Sequence, residues 1–349
     1  MDFNFDLLKR LSETPGIAGY EGAQRAIAMA ELRPLTDELR TDRLGNVIAR
    51  KRGDGPKVMV AAHMDEIGFL VKFVDEKGFL RLQPVGGWDP KAMFAQRVLV
   101  RTEAGALLRG VLHSTAKPPH IMTDEDRKRA MQHDDYFVDL GLPAETVREQ
   151  VQLGDMVTMD RTCERLGGRV VGKALDDRAG VFVMIEALRA LRSHRADIYA
   201  VATVQEEVGL RGAETAAFQI EPDIAVALDG TLAIDLPGAQ PELGVSELGK
   251  GVAIKIFDSS HLSHPRLIRH LKDIARREGI PYQLELLPRG GTDAGAMQRV
   301  RGGAPAITIS LPMRYVHTVN EMADIGDLQG AITLLARYLE EADRGDYAL

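Results

Sequence analysis

Val58-Met59-Val60-Ala61-Ala62-His63-Met64-Asp65 runs from five apolar residues straight into a histidine and a carboxylate. The apolar part is short, contains β-branched residues and has no polar face, which is the pattern of a strand buried on both sides. Three further stretches read the same way: residues 198–204 (IYAVATV), 224–228 (IAVAL) and 306–311 (AITISL). Helical spacing fills the intervals. Val181, Met184, Ile185, Leu188 and Leu191 recur at that spacing after Asp177, and Leu328, Ile332, Leu335 and Leu339 do so near the C-terminus. Strands alternating with helices predict an α/β domain with a mainly parallel sheet sandwiched by helices. Ahead of it, a short helix around Leu7, Leu8 and Leu11 is ended by Thr14-Pro15-Gly16, and a second runs from Gly22 to about Leu32.

Residues 68–163 follow another rule. Short alternating runs (Phe69-Leu70-Val71, Phe79-Leu80-Arg81-Leu82, Arg97-Val98-Leu99-Val100 and 107–112) are separated by glycine and charged turn residues. That pattern predicts a small antiparallel β domain inserted into the α/β domain, which residues 1–67 and 164–349 then form together. The charged segment 124–135 (DEDRKRAMQHDD) reads as a solvated loop or short surface helix.

The length of 349 residues suits this two-part organisation. Lys and Arg total 44 against 51 Asp and Glu, a net charge of −7, which excludes a sequence-blind nucleic-acid binder. No apolar run approaches the ~20 residues of a bilayer span. The opening MDFNFDLLKR has neither a basic nor an apolar signal region, so the expected location is cytoplasmic. Cys163 is the one cysteine, which rules out a disulfide framework or a cysteine metal cluster and suits a buried residue without catalytic role.

Chemistry-bearing residues gather after the apolar runs. His63 and Asp65 follow the first, Glu206 and Glu207 the second, Asp229 the third, and His317 the fourth after a short turn. Ligands of open α/β sheets bind beyond the carboxyl ends of the strands. His63 alone would be an ordinary core histidine. Asp65, two residues on, projects to the same side of an extended chain and offers a carboxylate to the second imidazole nitrogen. Glu206-Glu207 is harder to explain structurally, because adjacent carboxylates beyond a buried strand repel and lose solvation unless a cation compensates. Asp176-Asp177 has a strong structural reading as a helix N-cap, and Asp229 one as a turn residue. Two histidines and several carboxylates without cysteine suit zinc, cobalt or manganese in a two-metal site with ions roughly 3.5–4 Å apart. A glutamate outside the ligand set then handles the proton of the attacking water.

Other patterns carry less. Residues 244–251 (GVSELGKG) have phosphate-loop spacing up to Lys250, but Gly251 stands where Ser or Thr is needed and no strand precedes them, so a turn is the reading. His261 and His264 flank a polar loop before Pro265, and His113 and His120 have no chemistry assigned. Neither HExxH nor GxSxG occurs.

Four stretches together resemble a known family: Ala62-His63-Met64-Asp65-Glu66-Ile67-Gly68, Gly172-Lys173-Ala174-Leu175-Asp176-Asp177-Arg178, Glu206-Glu207-Val208-Gly209-Leu210-Arg211-Gly212 and Gly290-Gly291-Thr292-Asp293-Ala294-Gly295-Ala296. In order and over nearly the whole chain, they are similar to the signature stretches of the tetrahedral aminopeptidases. These metallopeptidases include glutamyl and deblocking aminopeptidases, and some members are labelled cellulase or endoglucanase. The resemblance implies that His63 and Asp229 bind one metal, Glu207 and His317 the other, and that Asp176 bridges them before a cis peptide bond. It implies Glu206 as general acid/base and Asp65 as the residue that orients His63. It also implies two divalent ions per subunit (zinc, with cobalt and manganese as alternatives). The inserted β domain would help subunits assemble into a tetrahedral homododecamer with inward-facing active sites.

The function expected is a di-metal aminopeptidase that releases N-terminal residues from short peptides by attack of a metal-bridging hydroxide. The alternative is a metal-dependent amidase or deacylase of a small metabolite on the same scaffold. A non-catalytic scaffold has no use for paired desolvated carboxylates, and a glycosidase needs its two acids free around a sugar. Lys255, Asp258, His261 and His264 are candidates to line the pocket for the first side chain. A basic pocket there favours Glu or Asp, and an apolar one Leu or Met.

Overall fold

The structure is a computed structural model and describes residues 3–347. The four apolar runs become adjacent strands, in the order Asp197–Thr203, Lys57–His63, Ile224–Leu232 and Ala306–Arg314, each parallel to its neighbour. They form the middle of an eleven-stranded sheet. Antiparallel strands flank them, Val47–Lys51 and Glu38–Thr41 on one side, Glu321–Asp324, Arg169–Gly172 and Glu164–Leu166 on the other. Val252–Phe257 pairs antiparallel with Ala306–Arg314 and parallel with Tyr282–Leu286.

The period of two explains why these strands read as continuous apolar runs. Val58, Val60 and Ala62 pack on one face, against helices Leu175–Ala190, Pro265–Glu278 and Ile325–Glu341. Met59 and Ala61 pack on the other, against Arg211–Ile220 and Asp293–Arg299. Both faces are covered, as the sequence predicts. The helices Phe5–Glu13 and Gly22–Leu32 also lie where expected. No helix among the described residues is long and apolar enough to cross a membrane.

Strands Gly68–Val74, Leu80–Val85, Tyr136–Asp139, Leu107–Ser114, Gln96–Arg101 and Met156–Met159 close in that order into an antiparallel barrel. Its core includes Phe69, Val71, Leu82, Val98, Val100, Leu112 and Val157. Trp88 stacks on Phe69 at 4.9 Å and donates its indole N–H to the Gly68 carbonyl at 3.0 Å. Closure removes the edges that an open sheet of six short strands would expose. The charged segment forms an exposed helix, Asp124–Lys128, capped reciprocally by Thr123 and Asp126. Residues 244–251 form loop and turn leading into Val252–Phe257.

Ile309 sits mid-sheet, fully buried, between Leu228 and Ile254 on its neighbouring strands. Ile309→Val removes one methylene where the surroundings cannot collapse. It is expected to lower the unfolding free energy by about 1 kcal/mol in urea denaturation, with activity unchanged.

Candidate active site

Four strand ends converge. His63 closes its strand, Asp229 lies within Ile224–Leu232, Glu206 and Glu207 follow Asp197–Thr203, and His317 comes three residues after Ala306–Arg314. Asp176 enters from the start of helix Leu175–Ala190, where Asp176 and Asp177 leave helical geometry and the bond between them is cis. The two aspartates divide the two readings of their pair. Asp177 is the helix cap: one carboxylate oxygen accepts from the Gly180 N–H at 3.0 Å and the other from the His63 N–H at 3.1 Å. Asp176 points instead at two imidazoles, 3.4 Å from His63 Nε2 and 3.5 Å from His317 Nε2. Asp229 is no turn residue but a buried strand residue.

Two groups of donors result. His63, Asp176 and Asp229 present ligand-type atoms within 4.8 Å of one another, and so do Asp176, Glu207 and His317. Asp176 belongs to both. Each imidazole is held by its other nitrogen. His63 Nδ1–H donates to the Asp65 carbonyl at 3.0 Å, and His317 Nδ1–H to the Gly87 carbonyl at 2.8 Å. Both Nε2 lone pairs are thereby turned toward carboxylates, an arrangement that requires a proton or a cation in between. Asp176 Oδ1 is buried without a hydrogen-bond donor. The donor set fits divalent ions of the zinc, cobalt and manganese type.

Asp65 lies beside His63, and both its carbonyl and its carboxylate face the imidazole Nδ1. The carbonyl takes the hydrogen bond, and Nδ1 is 3.6 Å from Asp65 Oδ1. The carboxylate accepts the N–H groups of Glu206 at 3.0 Å and Glu207 at 3.1 Å, and so fixes the acidic pair. Glu206 belongs to neither donor group, and its Oε2 lies 3.8 Å from His63 Nε2.

Without a cation the cluster is electrostatically unbalanced. Burial pushes Asp229 well above the usual carboxylate range, and Asp176 and Glu206 add to it. Burial likewise raises Glu206, with Glu207, Asp293 and Asp65 adding and His63 opposing. Burial also raises Glu207. For Asp176 burial acts in the same sense, but the imidazoles of His317 and His63 outweigh it and hold the carboxylate well below its usual range. Burial opposes protonation of His317, yet Asp176 and Glu207 push it up to about 12. Divalent cations held by these residues would supply the balancing positive charge.

Several supporting residues carry no signal in the sequence. Glu66 and Lys173 form a buried pair at 2.6 Å, and fully buried Arg178 donates to the carbonyls of Leu11, Thr14 and Gly16, tying the first turn to the site. Asp293 accepts from Thr203 Oγ1 at 2.6 Å. Glu321 accepts the main-chain N–H groups of Asp176 and His317. Glu66, Lys173, Arg178 and Asp293 lie in quoted stretches, but only tertiary contact reveals their partners. Gly87 belongs to the segment joining two barrel strands, and a Cβ there would approach His317 Nδ1 to 3.2 Å.

A cavity of about 450 Å³ opens beside the cluster, lined among others by Thr231, Leu232, Lys255, Leu287, Arg289 and Val316. Of the four residues expected to line it, only Lys255 does. Asp258 and His261 pair behind it at 3.1 Å, and His264 caps helix Pro265–Glu278 by accepting the Arg266 N–H.

The family model of M42 glutamyl aminopeptidases matches residues 45–334. The lysyl aminopeptidase of Pyrococcus furiosus is 39% identical over 352 residues, covering 99% of each chain. Aminopeptidase APDkam598 from Desulfurococcus kamchatkensis superimposes with a TM-score of 0.92 at 39% identity, covering 96% of this chain and 94% of its own. The Pyrococcus horikoshii TET1 peptidase, described as assembling into a tetrahedron or a large octahedral shell, gives 0.86 at 32% identity, covering 97% and 99%. With these matches the helix-covered sheet and its cluster of histidines and carboxylates belong to a peptidase. The chain belongs to the M42 glutamyl aminopeptidase family, and its activity is that of an aminopeptidase.

Proposed function

We propose that the chain is a two-metal aminopeptidase of short peptides. The observation that carries this reading is the sharing of Asp176 between two donor groups. His63 and Asp229 would hold one ion, Glu207 and His317 the other, and Asp176 both. Two divalent ions held there would acidify a water at neutral pH and balance the negative charge that develops on the carbonyl oxygen. Glu206, outside both donor groups, takes the proton of the attacking water and returns it to the departing amine. Asp65 holds the backbone of Glu206 and Glu207 and so sets their aim. Zinc is the proposed native metal, with cobalt and manganese accepting the same donors. Residues 68–163 are proposed as an inserted unit that supports a tetrahedral homododecamer in the cytoplasm.

The cavity wall bears on the first side chain. Lys255 is fully buried, with Nζ 2.9 Å from Glu285 and 3.4 Å from Asp258. Arg289 lies exposed on the same wall. The Lys255 charge is balanced by the Glu285 and Asp258 carboxylates, so Arg289 is the cation that repels an N-terminal lysine or arginine, while Leu232, Leu287 and Val316 accept an aliphatic stem. An N-terminal glutamate would place its carboxylate toward Arg289.

The test is hydrolysis of fluorogenic aminoacyl amides and their N-acetylated counterparts by chelator-treated protein with metal restored. Metal-restored cleavage of the free-amine set alone is expected. Cleavage confined to the N-acetylated set would replace the aminopeptidase by a deacylase. Within the free-amine set, kcat/KM for the glutamyl amide is expected to exceed that for the lysyl amide by about tenfold or more. Arg289→Glu should narrow that ratio, and an unchanged ratio would remove Arg289 from the selecting wall.

A further inference from the structure

Glu321 is the first residue of the strand Glu321–Asp324, anchored opposite Gly172. Its side chain is buried, and both carboxylate oxygens are committed to main-chain donors. Oε2 accepts the N–H of Asp176 at 3.0 Å, and Oε1 accepts the N–H of His317 at 2.8 Å. Those two residues come from separate parts of the chain, one at the head of a helix and the other on the loop after a central strand. Both belong to the donor group that also contains Glu207. Among the described residues, no other side chain is hydrogen-bonded to the main chain of both.

From this geometry we infer that Glu321 is a positioning residue that sets the separation of Asp176 and His317 and so builds the Asp176–Glu207–His317 site. A carboxylate suits the task because it accepts at both ends and donates at neither. A glutamine of the same size accepts at one end only. Its amide N–H₂ meets the second main-chain N–H donor to donor, and that residue shifts. His63 and Asp229 have no hydrogen bond to Glu321, so the group they form with Asp176 is affected less.

The inference rests on the two-ion reading, and a cobalt(II) titration separates the two. Chelator-stripped wild-type, Glu321→Gln and Glu321→Asp proteins are titrated and followed by the visible absorption of cobalt, with melting of the stripped proteins alongside. Wild-type protein taking up fewer than two equivalents overturns the two-ion reading itself. With two in the wild type, the second equivalent is expected to bind about 10–100-fold more weakly to Glu321→Gln. Glu321→Asp, which keeps both acceptors on a shorter arm, is expected to be intermediate. Saturating metal should restore much of the lost kcat with KM unchanged. Two equivalents bound as tightly as in the wild type, in either variant that folds, overturn the inference, as does a lowered melting temperature with both affinities unaltered.

Discussion

Glu206→Gln is expected to lower kcat by about 10²–10⁴-fold while two metal ions per subunit stay bound. The side chain belongs to neither donor group, so its exchange for an isosteric amide leaves every candidate ligand in place. Its main-chain N–H remains held by Asp65 Oδ1 at 3.0 Å, so the turn carrying Glu207 keeps its aim. What is lost is the ability to take a proton. Burial already pushes this carboxyl well above the usual range, and an acid that hands a proton to a leaving amine works best with a raised pKa. Bound cations would counter that rise. The measurement pairs steady-state kinetics with elemental analysis. A kcat within tenfold of wild type, with full metal, would move the proton transfer to another residue. Loss of metal would show instead that Glu206 is a ligand.

The sequence makes the central sheet legible because burial on both faces makes its strands near-continuous apolar runs, broken only by short polar side chains such as Thr308 and Ser310. Val58 and Val60 on one face and Met59 and Ala61 on the other fulfil that condition. The barrel was legible only as alternating short strands. Its closure depends on the pairing of Gly68–Val74 with Met156–Met159, partners separated by most of the inserted segment, and alternation carries no information about long-range pairing. In the site, strand ends announce His63, Glu206, Glu207 and Asp229, whereas Asp176 needed the family resemblance to separate it from Asp177. Geometry makes the distinction plain: Asp177 caps Gly180 and Asp176 faces two imidazoles. Asp65 has a second contact that spacing does not reach. The i, i+2 relation brings it beside His63, where the carbonyl accepts from the imidazole, and the carboxylate also holds the Glu206-Glu207 backbone. Glu321 acts on main-chain groups, which leave no trace in side-chain composition.

Asp176→Ala and His317→Ala should fail in different ways, and the difference tests whether Asp176 is shared. Removing His317 takes one donor from the group with Glu207 and leaves His63, Asp176 and Asp229 complete. His317→Ala is therefore expected to retain about one divalent ion of the two, since three protein donors are what catalytic sites of this kind commonly use. Removing Asp176 takes a donor from both groups at once. What remains is His63 with Asp229 and Glu207 with His317, two pairs that each lack the anionic third partner. Asp176→Ala is expected to bind neither ion at stoichiometric metal and to lose activity by about 10³-fold or more. The variant also frees His63 Nε2 and His317 Nε2 from a carboxylate at 3.4 and 3.5 Å. The raised pKa of His317 should fall accordingly, because Asp176 is a principal cause of the shift. Elemental analysis of the two purified variants, with NMR titration of the histidines in the stripped proteins, reads out both effects. One ion retained by Asp176→Ala, with His317→Ala indistinguishable from it, would mean that the two groups do not share a ligand and that the site holds its metal some other way.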